Sequence, residues 1–363
     1  MNHARLYDIM SGAEHSLSAS AARLGLGVLA LGYRLVISLR NMSFDLGLRK
    51  PATLPCPVIS VGNLTTGGTG KTPMVIELAK RLIERGSHPA VLLRGYRAQG
   101  DPGGGDEAMM LAGELGSSVP VQPNPNRATA ADRVIEKHPT TSVFLLDDGF
   151  QHRQVHRDLD IVLIDATRPF GFDRLLPRGL MREPEGNLSR ADSVILTRCD
   201  LVDDRALADL DCRVEGLIGR PPDAHTAYRW SGFRSGDRVV SEDYLLSLKT
   251  VGVSAVGNPA AFERTLEAAC GQVLACHNYD DHHSYTLDQV CGLLSDAKDR
   301  AAQAVVVTEK DWVKWKPLLS GLNANEDPTP PVLPVIRPIL GVEFLDGSDA
   351  VDRLLEQAVL PRK

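Results

Sequence analysis

A glycine-rich loop between a short apolar strand and an amphipathic helix constrains this chain more than any other feature. Gly67-Gly68-Thr69-Gly70-Lys71-Thr72 follows the apolar run Pro57-Val58-Ile59-Ser60-Val61. It precedes Pro73–Arg85, where Val75, Leu78, Ala79, Leu82 and Ile83 recur at helical spacing. Pro73 suits a first helical turn, and Gly86 suits a stop. In that setting glycines let backbone N–H groups converge on phosphate oxygens, and the helix N-terminus adds a favourable dipole. The loop, taken as Thr65–Thr72, is therefore expected to bind ATP. Lys71 is expected to bridge the β- and γ-phosphates, and Thr72 to ligate Mg²⁺. The common form of such loops has glycine where this chain has Thr65, with Thr66 leading into the glycines.

A second element supports the first. Val143-Phe144-Leu145-Leu146 runs directly into Asp147-Asp148-Gly149. A buried strand that ends in carboxylates beside a phosphate loop is the arrangement that holds Mg²⁺. An Asp-Gly turn with solvated carboxylates is the plainer alternative. Ala90–Leu93, Ile161–Ile164 and Val194–Leu196 are further apolar runs of strand length. Strands alternating with helical segments predict an α/β fold: a P-loop NTPase-like, mostly parallel sheet with helices on both faces, over 51–210.

The stretch Asp200–Asp243 is polar and reads as a connector. A smaller α/β domain is expected over 211–363. Its strands are Val251–Val256, Val273–Cys276 and Ala304–Thr308, and its helices Pro259–Cys270 and Thr286–Asp299. Thr286 and Gln289 form a capping box at the start of the latter.

Residues 1–50 are different in kind. They carry Arg5, Arg23, Arg34, Arg40, Arg49 and Lys50 against Asp8, Glu14 and Asp45, on a chain whose formal net charge is −6. A basic end on an acidic body points to an anionic membrane surface and argues against general nucleic-acid binding. The apolar run Leu24–Leu39 is shorter than the ~20 residues that cross a bilayer core, and Arg34 interrupts it. The first 18 residues lack the basic start of a signal peptide. The segment is thus expected as a membrane-associated helix, with packing against the core as the alternative. The cysteines at 56, 199, 212, 270, 276 and 291 show no CxxC spacing, which suits a reducing cytoplasm. Nothing in the sequence calls for an obligate protein partner.

The loop in its longer context, Ser60-Val61-Gly62-Asn63-Leu64-Thr65-Thr66-Gly67-Gly68-Thr69-Gly70-Lys71-Thr72-Pro73, resembles that of the tetraacyldisaccharide 4'-kinase family, which also lacks glycine at the Thr65 position. Further matches follow in order: Arg94-Gly95-Tyr96, Gly105-Asp106-Glu107, Asp147-Asp148-Gly149-Phe150-Gln151-His152 and Arg157-Asp158-Leu159-Asp160-Ile161. Leu175-Leu176-Pro177, Arg182-Glu183-Pro184, Asp281-His282-His283 and Thr308-Glu309-Lys310-Asp311 complete the set, which runs to about residue 314. Each motif is weak alone; the ordered set is specific.

The resemblance implies transfer of the ATP γ-phosphate to the 4'-hydroxyl of a tetraacyl glucosamine disaccharide 1-phosphate, the lipid A precursor. It implies an enzyme at the cytoplasmic face of the inner membrane, with a second domain closing on the nucleotide. It implies Asp106 as the base, paired with His282, in keeping with the need to take a proton from the sugar hydroxyl. Asp147 and Asp148 are then Mg²⁺ partners with Glu183 joining on closure, and Arg127, Arg182, Gln151 and His152 clamp phosphate or substrate. Two other classes remain open. Thr197-Arg198-Cys199-Asp200 faintly resembles a guanine-reading motif, which would suit a switch or metallochaperone GTPase, although arginine replaces the expected lysine. A non-catalytic, membrane-bound nucleotide sensor is the other; the reacting groups named above argue against it.

Overall fold

The computed structural model describes residues 3–95, 105–236, 238–256, 259–280, 283–322 and 333–360. The chain begins with α1 (His3–Ser11) and α2 (Leu17–Asp45), followed by β1 (Val58–Asn63), α3 (Lys71–Glu84) and β2 (Pro89–Leu93). Next come α4 (Asp106–Leu115), β3 (Val121–Pro123), α5 (Arg127–Lys137), β4 (Val143–Asp147) and β5 (Leu159–Asp165). Then follow β6 (Ser193–Thr197), α6 (Asp204–Ile218), β7 (Ala224–Ser235), β8 (Arg238–Val240), α7 (Glu242–Leu246) and β9 (Lys249–Ser254). The chain ends with α8 (Pro259–Ala269), β10 (Gln272–Asn278), α9 (Leu287–Asp299), β11 (Ala304–Val307), α10 (Glu309–Leu322), β12 (Val335–Asp346) and α11 (Ser348–Ala358).

Two compact units result. The first comprises 1–96, 115–228 and 342–363. Its strands run β7-β6-β5-β1-β4-β2-β3, with parallel pairing throughout. β1, β2, β4, β5 and β6 are buried along their whole lengths, as near-continuous apolar strands covered on both faces must be. α3 buries Met74, Val75, Leu78, Ala79 and Leu82, one face of its cylinder, and stops before Gly86 at φ +76.

The second unit comprises 97–114 and 229–341. β10, β9, β11 and β12 pair in parallel, in that order. Val251, Val253, Val305, Val307 and Trp315 fill one side of this sheet, while Phe262, Leu266, Ala304 and Val306 fill the other. α9 carries the expected capping box from Thr286 and Gln289. Asp311 is fully buried and accepts from the Ala255 N–H at 3.1 Å and from the Tyr285 hydroxyl at 3.1 Å, so the Thr308–Asp311 motif braces this unit internally.

The division falls at other residues than the expected 210/211 boundary. α6, the start of β7, the end of β12 and α11 belong to the first unit, and 97–114 to the second. Side chains explain the return of the C-terminus: Arg81 on α3 reaches Asp352 at 2.9 Å and stacks 4.1 Å over the Phe344 ring. His225 likewise bonds both Asp346 and Asp211. The expected connector at 200–243 is also revised, because it contains α6 and β7. α6 is capped by the Asp203 carboxylate and ended by Gly219, but only Leu210 and Val214 are buried along it, which hides its period in a polar stretch.

The N-terminal helix is longer than its apolar run. α2 has 29 residues, about 43 Å, so by length and composition it suffices to cross a bilayer. Leu24, Val28, Leu31, Leu35 and Val36 are each more than half exposed along it. Hydrogen bonds and ion pairs from its second half tie it to the rest of the first unit. The Tyr33 hydroxyl donates to the Arg182 carbonyl at 2.9 Å, and Arg153 pairs with Asp45 at 2.6 Å.

Candidate active site

Strand register places the loop and the acid pair together. Val61 in β1 lies opposite Asp147 in β4, so the chain that becomes the phosphate loop and the chain carrying both carboxylates leave the same edge of the sheet. α3 starts at Lys71, and Gly70, at φ +82, caps it. No other residue fits Gly70: a Cβ there would sit 1.6 Å from the Tyr228 hydroxyl oxygen.

The loop is held from outside by its carbonyls. Arg198 donates to the Gly68 carbonyl at 2.7 Å, Thr197 to that of Thr69 at 3.3 Å, and Tyr228 to that of Gly70 at 3.1 Å. A trans peptide sets the following N–H opposite its C=O, so the N–H groups of Gly70 and Lys71 turn away from these supports. That is the orientation an anion-binding cradle needs. Thr65 bridges Met181 in antiparallel fashion, and the Thr66 N–H donates to the Leu180 carbonyl at 2.8 Å. Thr69 is buried and accepts from Asn63 at 2.9 Å.

Two expected site residues, Lys71 and Arg182, converge on the carboxylate of a third, and Gln151 joins through Arg182. Asp148 lies 3.4 Å from the Lys71 ammonium and 2.7 Å from the Arg182 guanidinium, which also contacts Gln151 at 3.3 Å. Burial works to raise the Asp148 carboxyl, but Lys71 and Arg182 outweigh it and hold it below its usual range. Gln151 in turn donates to the Asn63 carbonyl at 2.8 Å, and Asn63 accepts from Lys71 at 3.2 Å. His152 is pushed down to about 4 by burial and by the charges of Arg127, Arg157, Arg94 and Arg40. It is neutral at pH 7 in a positive field that favours anions. Arg127 is buried at the start of α5, where it donates to the carbonyls of Asn124 and Pro125.

Thr72, Asp147 and Asp148 offer hard oxygen donors fewer than the six Mg²⁺ takes, which leaves positions for phosphate oxygens and water. The donor set fits the ion. Glu183 stands elsewhere in the network. It is fully buried, and its oxygens accept from Arg40 at 3.1 Å, Asn41 at 2.8 Å, Asn187 at 2.7 Å and Arg190 at 2.9 Å. Those partners tie it to α2 through Arg40 and Asn41 and to the turn after it through Asn187 and Arg190. Asp106 is the first residue of α4; its side chain, and all of Asp281 and His282, lie outside the described residues.

Sequence reasoning missed Asn63, Thr197, Arg198 and Tyr228 as supports of the loop. The Thr197–Asp200 motif gave a signal, but its arginine turns back: Arg198, at φ +57, pairs with Asp165 and with the loop rather than facing outward as a base reader. One more tight contact fixes the site. A Cβ on Gly62 would lie 2.5 Å from the Phe150 backbone nitrogen, so Gly62→Ala must push apart β1 and the turn after the acid pair. It is expected to destabilise the protein by about 1–3 kcal/mol, measured as a lower denaturant midpoint.

Comparison with known proteins places these features together. The sequence profile of the family described as tetraacyldisaccharide-1-P 4'-kinase matches residues 22–334. The tetraacyldisaccharide 4'-kinase of Halothermothrix orenii is 33% identical over 338 residues, covering 85% of this chain and 87% of that protein. That of Anaeromyxobacter dehalogenans is 35% identical over 342 residues, covering 89% and 87%. Among solved structures, the apo form of LpxK from Aquifex aeolicus in complex with ATP superposes with a TM-score of 0.72 at 26% identity, covering 93% of this chain and 99% of that one.

Proposed function

This chain belongs to the tetraacyldisaccharide-1-P 4'-kinase family, and from that premise we propose how its own residues carry the reaction. It is an ATP-dependent kinase that phosphorylates the 4'-hydroxyl of a tetraacyldisaccharide 1-phosphate in lipid A biosynthesis. The observation that carries the residue assignments is the Lys71–Asp148–Arg182 constellation beside the phosphate loop. Mg²⁺, when bound with ATP, neutralises charge on the transferring phosphoryl group. Thr72, Asp147 and Asp148 would hold that ion, while the loop N–H groups and Lys71 orient the phosphates. Arg182, Arg127, Gln151 and the neutral His152 fix the acceptor and its charge. Asp106 takes the proton of the 4'-hydroxyl, and His282 orients Asp106.

The test follows labelled γ-phosphate from ATP to tetraacyl disaccharide 1-phosphate, with protein purified in mild detergent and Mg²⁺ present. Asp106→Ala is expected to bind ATP and transfer nothing. ATP hydrolysis without labelled lipid in the unaltered chain would sink the acceptor assignment; rapid transfer by Asp106→Ala would sink the base.

We further place the enzyme on the cytoplasmic face of the membrane, held by α2, whose leucine and valine face is exposed and whose exposed Arg34 can reach lipid phosphates, while Arg40 is engaged by Glu183 and Arg23 by the Glu14 carbonyl. Each apolar side chain buried in acyl chains is worth about 1.5–3 kcal/mol. Leu24→Asp with Leu31→Asp is therefore expected to release the protein from anionic vesicles in a flotation assay. Retention of the double variant at the original level would refute this mode of attachment.

A further inference from the structure

The Arg157–Ile161 motif has no part in the scheme above, yet it lies directly beneath the acid pair. Arg157 Nη1 donates to two consecutive carbonyls, Gly149 at 3.3 Å and Phe150 at 3.2 Å. Its Nε lies 3.4 Å from Asp160, whose side chain is 3% exposed. The turn so gripped is the one that aims the carboxylates. Asp148 occupies the left-handed region at φ +55, which is uncommon outside glycine although aspartate adopts it more readily than most residues. From the other side, the Gly149 N–H donates to the Val61 carbonyl at 3.1 Å, which ties the turn to β1. Burying an arginine–aspartate pair gives less stability than burying apolar groups of equal volume, so stability alone is a weak reason for this one. Its geometry is specific: one guanidinium fixes two successive peptide planes immediately after the acid pair.

We propose that Arg157 is a positioning residue for the metal site, holding the Asp148–Phe150 turn so that the carboxylates of Asp147 and Asp148 are aimed at Mg²⁺. The proposal rests on reading that pair as the Mg²⁺ ligands. Asp160 fixes the Arg157 guanidinium, and the bond to β1 resists the same rotation from the opposite side. Outer-shell partners of this kind typically change metal affinity by about 10–100-fold.

The test uses full-length protein in detergent with a non-hydrolysable ATP analogue and Mn²⁺ as the probe, free Mn²⁺ being read by electron paramagnetic resonance. Arg157→Met is expected to weaken Mn²⁺ binding by at least about tenfold. Arg157→Lys keeps the charge and at least one carbonyl contact, so it is expected to recover much of that loss. Asp148→Asn serves as the reference for the ligand reading. Mn²⁺ affinity within twofold of the unaltered chain in Arg157→Met, with a lowered melting midpoint, makes the residue merely structural and overturns the proposal. Should Arg157→Met fail to fold, Asp160→Asn, which frees the Arg157 guanidinium without removing it, decides: weakened Mn²⁺ binding at an unchanged melting midpoint supports the proposal, and unchanged binding overturns it. Unchanged binding in Asp148→Asn overturns the ligand reading, and the proposal with it.

Discussion

Lys71→Met is expected to lower phosphoryl transfer by roughly 10³-fold while leaving the chain folded. The ammonium stands 3.4 Å from Asp148 and 3.2 Å from Asn63, at the first position of α3, with its side chain 14% exposed. Methionine retains the length and apolar stem of lysine and removes only the charge. α3 stays packed because its buried face is made by Met74, Val75, Leu78, Ala79 and Leu82, none of which touches the substituted atom's role. The loss therefore falls on the chemistry, where a fixed positive charge meets negative charge building on the phosphoryl group. Asp148 keeps Arg182 at 2.7 Å, so the carboxylate is not left without a counter-charge. Rate and melting midpoint measured on the same sample decide the matter. A variant within tenfold of the original rate would mean that Lys71 neutralises Asp148 and does not act on phosphate.

What could be read in the sequence was what is local. The strand, loop and helix around Lys71 are adjacent in the chain, and apolar runs such as Val143–Leu146 announce buried parallel strands whatever surrounds them. The sheet and the phosphate loop were legible for that reason. The loop's outer supports were not: Thr197 and Tyr228 lie more than 120 residues from the carbonyls they hold, and neither residue type signals such a task. α6 was hidden by its sparse buried positions, and α2 was underestimated because glycines and Arg34 interrupt its apolar run without ending the helix. Membership of a unit is also non-local. α11 returns to the first unit through contacts with Arg81 and Arg85 that no linear boundary could express.

Glu183 shows the same limit most sharply, because its sequence reading and its structural surroundings predict opposite results. With no exposed surface and partners in Arg40, Asn41, Asn187 and Arg190, Glu183→Ala would leave two guanidinium groups and two amides facing an empty space. Breaking a buried pair in this way costs about 3–5 kcal/mol. Thermal or denaturant melts are expected to show a loss of that size, with α2 loosened because Arg40 and Asn41 are among its attachments. Burial works to raise the Glu183 carboxyl, yet Arg190 and the hydrogen bonds outweigh it and hold the group below its usual range. A depressed carboxylate stabilises the fold fully above its unfolded value, and that contribution fades as pH falls through the folded value. The stability gap between the native chain and Glu183→Ala is thus expected to be constant near neutrality and to shrink below about pH 4.5. A metal ligand behaves otherwise: Glu183→Gln would keep the fold's stability in the absence of metal and weaken Mg²⁺ binding alone. A melt with no metal present separates the two. A large loss there assigns Glu183 to the seam between α2 and the core, and no loss returns it to the metal.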